Sequence, residues 1–152
     1  MSQGDPKDDL ERLRPYLDDF HEAALLEGED TALLCAIALR ETWAGWAPGY
    51  KVPQGNPRHI GYGDAGHGFG LFQIDDRGPY SYLPRECPQA TPFLQARWAC
   101  HVLADARREL GAFQSLPVFE AAAICAYNAG SGRVKRLLRE GRHPDHATSG
   151  ED

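Results

Sequence analysis

Glu41 is the residue whose type and setting most plainly suggest chemistry. It follows ten largely apolar residues, positions 31–40, and stands beside Trp43 and Trp46. The negative end of a helix dipole and a water-poor aromatic setting both disfavour an ionised carboxyl, so the pKa of Glu41 is expected to be raised. A carboxylic acid that stays protonated near neutral pH can donate to a leaving oxygen. Taken alone, Glu41 could equally be a glutamate at a helix edge with its head in solvent.

Two further motifs carry residues suited to the same chemistry. The run from Gly61 to Asp75 reads Gly-Tyr-Gly-Asp-Ala-Gly-His-Gly-Phe-Gly-Leu-Phe-Gln-Ile-Asp, with glycines at 61, 63, 66, 68 and 70 and two aspartates, Asp64 and Asp75. Glycines so placed let backbone lie close to a bound ligand. A phosphate cradle is excluded, because no Gly-Lys-Ser/Thr ending follows and no strand precedes the glycines. The third motif, Ala126-Tyr-Asn-Ala-Gly130, sits at a helix end, where the Tyr127 hydroxyl and the Asn128 amide could reach into a cleft. Plain core filling by Tyr127 is the ordinary alternative.

The elements that must position these residues are mostly helical. Leu10, Leu13, Leu17, Phe20 and Ala24 recur at three- and four-residue steps and predict one amphipathic helix stopping near Gly28. Asp30 can cap a second helix over Thr31 to Thr42, apolar almost all round and therefore expected to be buried and central. From Gly45 to Gly70 there are eight glycines, with Pro48, Pro53 and Pro57 among them. That composition suits a loop or a small irregular sheet, and loops of such length are usually functional. Thr91 and Pro92 open a helix running to Gly111, and Ser115 with Pro117 opens another ending near Asn128. Ser131 starts a short basic helix closed by Gly141, and residues 142–152 read as a frayed tail.

The chain has 152 residues, enough for one domain, so we expect a single unit over 1–152 with flexible tails at about 1–8 and 142–152. No stretch approaches the roughly 20 apolar residues that a membrane span needs. The acidic start lacks the basic-then-apolar pattern of a secretory signal. A formal net charge of −6 argues against nucleic acid as partner. The charge is uneven: Arg133, Lys135, Arg136, Arg139 and Arg142 crowd the last helix, which could touch an anionic polymer. The four cysteines, Cys35, Cys87, Cys100 and Cys125, have neither zinc-ligand spacing nor the density of a disulfide scaffold, and three of them read as small core residues. The six histidines show no paired ligand spacing, so no metal and no cofactor is expected.

In this order, the three motifs resemble the goose-type lysozymes and, more broadly, the lysozyme-like and soluble lytic transglycosylase superfamily. The resemblance covers roughly residues 31–134. Ala-Tyr-Asn-Ala-Gly is similar to a signature of the whole superfamily, whereas Gly-Asp followed by Gly-x-Gly-Phe-Gly-Leu-x-Gln-x-Asp is similar to the goose type. The resemblance implies a mainly α, lysozyme-like α+β fold: a helical domain around a buried central helix, with the Gly-rich loop or a small β-hairpin lining the substrate cleft. It implies Glu41 as general acid, Asp75 as the aspartate that positions or activates the attacking water, and Asp64 as its companion. Tyr127 matches the tyrosine near the catalytic glutamate, Gln73 and Asn128 match cleft-lining positions, and Phe69 and Ile74 match packing positions beneath them. Tyr62, Trp43 and Tyr80 are candidates for sugar stacking on our own reading. The loop 44–60 looks longer than in animal members, and His67 stands where Asn is usual, which bears on subsite shape.

The implied activity is that of an N-acetylmuramidase cleaving the β-1,4 bond between N-acetylmuramic acid and N-acetylglucosamine. Inversion needs an acid on one side of the bond and a base holding water on the other, with carboxyls roughly 6.5–9.5 Å apart. In lytic transglycosylases one glutamate works without a partner aspartate and the sugar's own hydroxyl closes a 1,6-anhydro ring, so Asp64 and Asp75 tilt the reading towards hydrolysis. A non-catalytic glycan-binding module is the rival from another class, but it would be expected to have lost the acid. The implied setting is outside the cytoplasm, in the periplasm or at an extracellular wall, by an export route left open. The implied partners are peptidoglycan glycan strands and a proteinaceous lysozyme inhibitor, with the protein itself a monomer.

Overall fold

The computed structural model describes residues 5–51, 61–63 and 66–148. Helix α1 (Pro6–Leu13) begins where the Asp5 carboxylate accepts from the Lys7 N–H at 2.9 Å. The single helix expected to Gly28 is broken in two. Pro15 has no N–H and its ring crowds the preceding turn, so residues Arg14–Tyr16 tighten into a 3-10 turn before α2 (Leu17–Glu27). The break re-aims the apolar stripe: Leu13, Phe20, Ala23 and Ala24 are buried, while Leu10 and Leu17 are left in solvent.

Helix α3 (Thr31–Thr42) starts as expected, with Asp30 accepting from the Ala32 N–H at 2.7 Å. It is not buried all round. Leu34, Ile37, Ala38 and Thr42 form the inner face, packed on α1 and α2, whereas Ala32, Ala36 and Arg40 are exposed. Apolar composition misled here because alanine sits at no great cost on either side of a helix.

The glycine-rich stretch forms a three-stranded antiparallel sheet in the order β1 (Tyr62–Gly63), β2 (Gly68–Phe69), β3 (Ile74–Asp75). Tyr62, Phe69 and Ile74 lie side by side across the strands, and so do Gly63, Gly68 and Asp75. Because side chains alternate along a strand, the two rows lie on opposite faces. A bridge between Lys51 and Tyr62 extends the outer edge.

Helices α4 (Leu83–Glu86) and α5 (Pro92–Glu109) follow, the second opened by Thr91, whose hydroxyl accepts from the Leu94 N–H at 3.3 Å. Helix α6 (Phe119–Ala129) begins later than Ser115, because the residue before Pro117 disfavours helical geometry. Helix α7 (Ser131–Arg139) is as expected. Within the segment expected to be a frayed tail, Pro144–Ala147 make a 3-10 turn with Pro144 and Ala147 buried, and residues 149–152 lie outside the described residues. Among the described residues no helix is long and apolar enough to cross a membrane.

The chain forms two compact units, residues 1–100 and 101–152, the division falling within α5. In the first, Phe20 and Phe72 are fully buried with ring centroids 5.1 Å apart, and Arg97 on α5 donates to Glu27 on α2 at 2.5 Å. In the second, Leu110, Ala122, Ala123, Val134 and Leu137 are at the core. Cys100 and Cys125 are buried, Cys35 and Cys87 half-buried, and none of the four is in a disulfide.

One buried polar side chain ties the sheet to the helices of the first unit. Gln95 on α5 accepts from the Leu71 N–H at 2.8 Å and donates to the Ala90 carbonyl at 2.8 Å. Replacing it by leucine would leave both backbone groups buried without a partner, each costing about 1–3 kcal/mol. We therefore expect Gln95→Leu to lower the unfolding free energy by roughly 2–4 kcal/mol in urea titration. A loss below about 1 kcal/mol would mean that water reaches these groups.

Candidate active site

The end of α3 carries the candidate acid in an uncommon backbone setting. Trp43, Ala44 and Gly45 all take left-handed conformations, with φ of 51°, 52° and 89°. The Ala44 N–H returns at 3.0 Å to the Ala38 carbonyl six residues back, closing the helix end over a left-handed position that is usually glycine and here is Trp43. Left-handed non-glycine residues cost about 1–2 kcal/mol each and tend to cluster at functional sites. Thr42 secures this turn. Its hydroxyl lies 3.2 Å from the Ala38 carbonyl and 3.0 Å from the Leu71 carbonyl, and it accepts from the Gly45 N–H at 3.0 Å. The helix end is thereby fastened to the segment joining β2 and β3.

Glu41, one residue earlier, has a side chain only 18% exposed. Burial pushes its pKa up, and the neighbouring Arg40 guanidinium, 4.0 Å from the carboxylate, opposes that shift. The direction is the expected one, but the expected aromatic wall is absent. Trp46 is 69% exposed and Trp43 is also at the surface, because the left-handed turn carries both out of the helical register. Trp43 instead faces the Arg12 guanidinium at 5.7 Å from its ring centroid, a cation–π contact.

The glycines of the second motif have a purpose different from the one expected. A side chain at Gly63 or Gly68 would collide with the Gln73 amide, one at Gly61 with the Tyr50 ring, and one at Gly70 with Gln95. They make room first for the protein's own side chains. Gln73 itself has φ of 49° and donates to the Gly70 carbonyl at 2.9 Å, which lays its amide over the glycine row. Tyr50 accepts from the Gly61 N–H at 3.1 Å, and burial pushes its hydroxyl pKa up to about 12.

Asp75 shares that glycine row, directly across from Gly68. One of its oxygens accepts from the Arg77 backbone N–H at 2.7 Å and from Nε at 2.9 Å, and the other accepts from Nη2 at 2.7 Å. Hydrogen bonding from Arg77 holds its carboxyl below the ordinary aspartate range, with His67 adding a smaller effect of the same sign. His67 Nδ1 lies 2.9 Å from the Asp76 carboxylate. Asp64 lies outside the described residues. On the opposite face, Tyr62 and Phe69 meet edge to face with centroids 4.8 Å apart, and Ile74 is buried beside them. Tyr80 is half-buried in the following loop. Tyr127, half-buried, and Asn128, exposed, occupy the last turn of α6 in the second unit, which Gly130 ends with φ of 78°.

Glu41, Gln73 and Asp75 thus belong to elements of the first unit joined through Thr42 and Leu71. Thr42, Tyr50, Arg77 and Gln95 were missed by motif reading. Only Gln95 left a signal, as an uncharged polar residue among the apolar positions of its helix. Among the described residues no group of three or more His, Cys, Asp or Glu is placed to hold a metal ion. In comparisons with known proteins, no family model and no curated protein matches the chain.

Two tests follow from this geometry. Gly68→Ala should destabilise the fold by about 1–3 kcal/mol by displacing Gln73, and adding Gln73→Ala should restore most of the loss in thermal unfolding. Failure of the double variant to recover would place the clash elsewhere. Glu41 has a folded pKa above its unfolded value of about 4.3, so its contribution to stability is full below that pH and is lost as pH rises through the folded pKa. Glu41→Gln should therefore match wild type near pH 3 and be the more stable near pH 7, and equal stability at both would contradict the raised pKa.

Proposed function

We propose that this protein is a peptidoglycan-cleaving muramidase of the goose-type lysozyme family, with Glu41 as general acid at the glycosidic oxygen between N-acetylmuramic acid and N-acetylglucosamine. The observation that carries the reading is Glu41 at the end of α3, largely shielded from water with its pKa raised by burial, and fastened through Thr42 to the hairpin that bears Gln73 and Asp75. Two carboxyls whose surroundings push their pKa values apart suit acid-assisted glycoside hydrolysis. Glu41 protonates the leaving oxygen, Asp75 contributes fixed negative charge and a water acceptor, and the Gln73 amide sits beside it for the sugar. This reading puts the protein to work on walls outside the cytoplasm.

One observation favours a second reading, the lytic transglycosylase. A carboxylate doubly bound to a guanidinium is a poor proton acceptor. If Asp75 takes no proton, the sugar's own hydroxyl can attack instead of water and close a 1,6-anhydro ring.

Mass spectrometry of muropeptides released from purified peptidoglycan separates these possibilities. Reducing-end products from wild type, falling at least about a hundredfold with Glu41→Gln, are the expected result. Products lighter by one water would assign a transglycosylase. Saturable binding without any product from several wall types would leave a glycan-binding module and remove the enzyme.

A further inference from the structure

The Asp75 carboxylate is the most heavily engaged polar group on the hairpin. An ionised carboxylate offers about four acceptor sites. Three are occupied by Arg77, through its backbone N–H, its Nε and its Nη2, in a side-on fork at 2.7–2.9 Å. The fork is closed within three residues of one turn, which leaves the carboxylate little freedom to rotate. It is also not a buried structural ion pair: the side chains of Asp75 and Arg77 are 49% and 56% exposed. An ion pair as exposed as this one adds little to stability, so its fork geometry calls for another explanation.

We propose that Arg77 is the positioning residue of the site: it locks Asp75 in one orientation over the glycine row, leaving a single open acceptor on its outer oxygen to hold one water. This rests on the muramidase reading and decides between the two roles that reading left for Asp75. Asp75 aims the water and supplies negative charge opposite the positive charge that develops on the sugar ring. The proton that the water loses on bonding to the sugar carbon passes to bulk solvent at the half-exposed carboxylate, and Glu41, left as the anion after protonating the leaving oxygen, regains a proton from solvent. The depressed pKa of Asp75 agrees with this division, since a proton arriving on either bound oxygen would have to displace a charge-assisted hydrogen bond. Among the described residues, the other charged groups about Asp75 are His67, whose cationic form acts in the same direction, and Asp76, which is paired with His67. Arg77 does not touch the sugar in this scheme.

The test uses the full chain with carboxyl-carbon NMR and wall-digestion kinetics on wild type, Arg77→Ala, Arg77→Lys and Asp75→Asn. In wild type the Asp75 carboxyl should titrate below the ordinary aspartate value of about 3.9, and in Arg77→Ala it should move up towards it. Arg77→Ala should lower kcat by up to about a hundredfold, the scale of misplacing a reacting group, with KM little changed. Arg77→Lys should fall between, because an ammonium keeps the charge but not the fork. Arg77→Ala combined with Asp75→Asn should be no worse than Asp75→Asn alone.

An unmoved Asp75 titration in Arg77→Ala would overturn the clamp. A kcat that is unchanged or higher in Arg77→Ala would overturn its role in positioning. Should wild type cleave no wall, the muramidase reading fails, and the positioning role with it, while the NMR titration still reports whether the clamp exists.

Discussion

The hydroxyl of Thr42 meets the carbonyl of Leu71, and much of the first unit is arranged around that contact. On one side of it stands the last turn of α3, bent out of helical geometry through three left-handed residues. On the other, the Leu71 N–H runs into the buried amide of Gln95, which is itself tied to Ala90. Backbone groups in the interior need partners, and a loop between two-residue strands cannot supply them from its own ladder. The threonine and the glutamine do so from the two helices, and in doing so they set the hairpin against the end of α3. Leu71 and Phe72, both buried, anchor the same segment from the apolar side.

That arrangement explains why two carboxyls in one small unit meet opposite fates. Glu41 lies on the packed side of the helix end, where water is scarce and its chain neighbour Arg40 reaches it only at 4.0 Å. Asp75 lies at the open end of the hairpin, where Arg77 can fold back on it from two residues away. Desolvation favours the neutral acid in the first case and charge-assisted hydrogen bonding favours the anion in the second. The opposite pKa directions of the two carboxyls come from packing and not from residue type.

The glycines illustrate a related constraint. Strands of two residues have too few hydrogen bonds to stand alone, so the hairpin is braced by side chains laid across it: Tyr50 on Gly61, Gln73 on Gly63 and Gly68, Gln95 on Gly70. Any Cβ at these positions would drive a brace away. The strained φ of Gln73 is tolerated because its amide is held at the Gly70 carbonyl.

The sequence by itself determined the helical class, the caps at Asp30 and Thr91, the extent of α3 and the location of the glycine-rich segment. These were legible because caps, prolines and apolar periodicity act over three or four residues, within the reach of local physics. Tertiary structure alone decided which face of α3 is buried, that Pro15 splits the first helix into two with different exposed leucines, and that Trp43 and Trp46 point away from the interior. It also decided what the glycines accommodate and which partner each carboxyl receives. Tyr50 and Gly61, Gln95 and Leu71, and Thr42 and Leu71 are separated by 11, 24 and 29 residues, so no local pattern joins them. Their contacts exist only once burial has removed water as the competing hydrogen-bond partner.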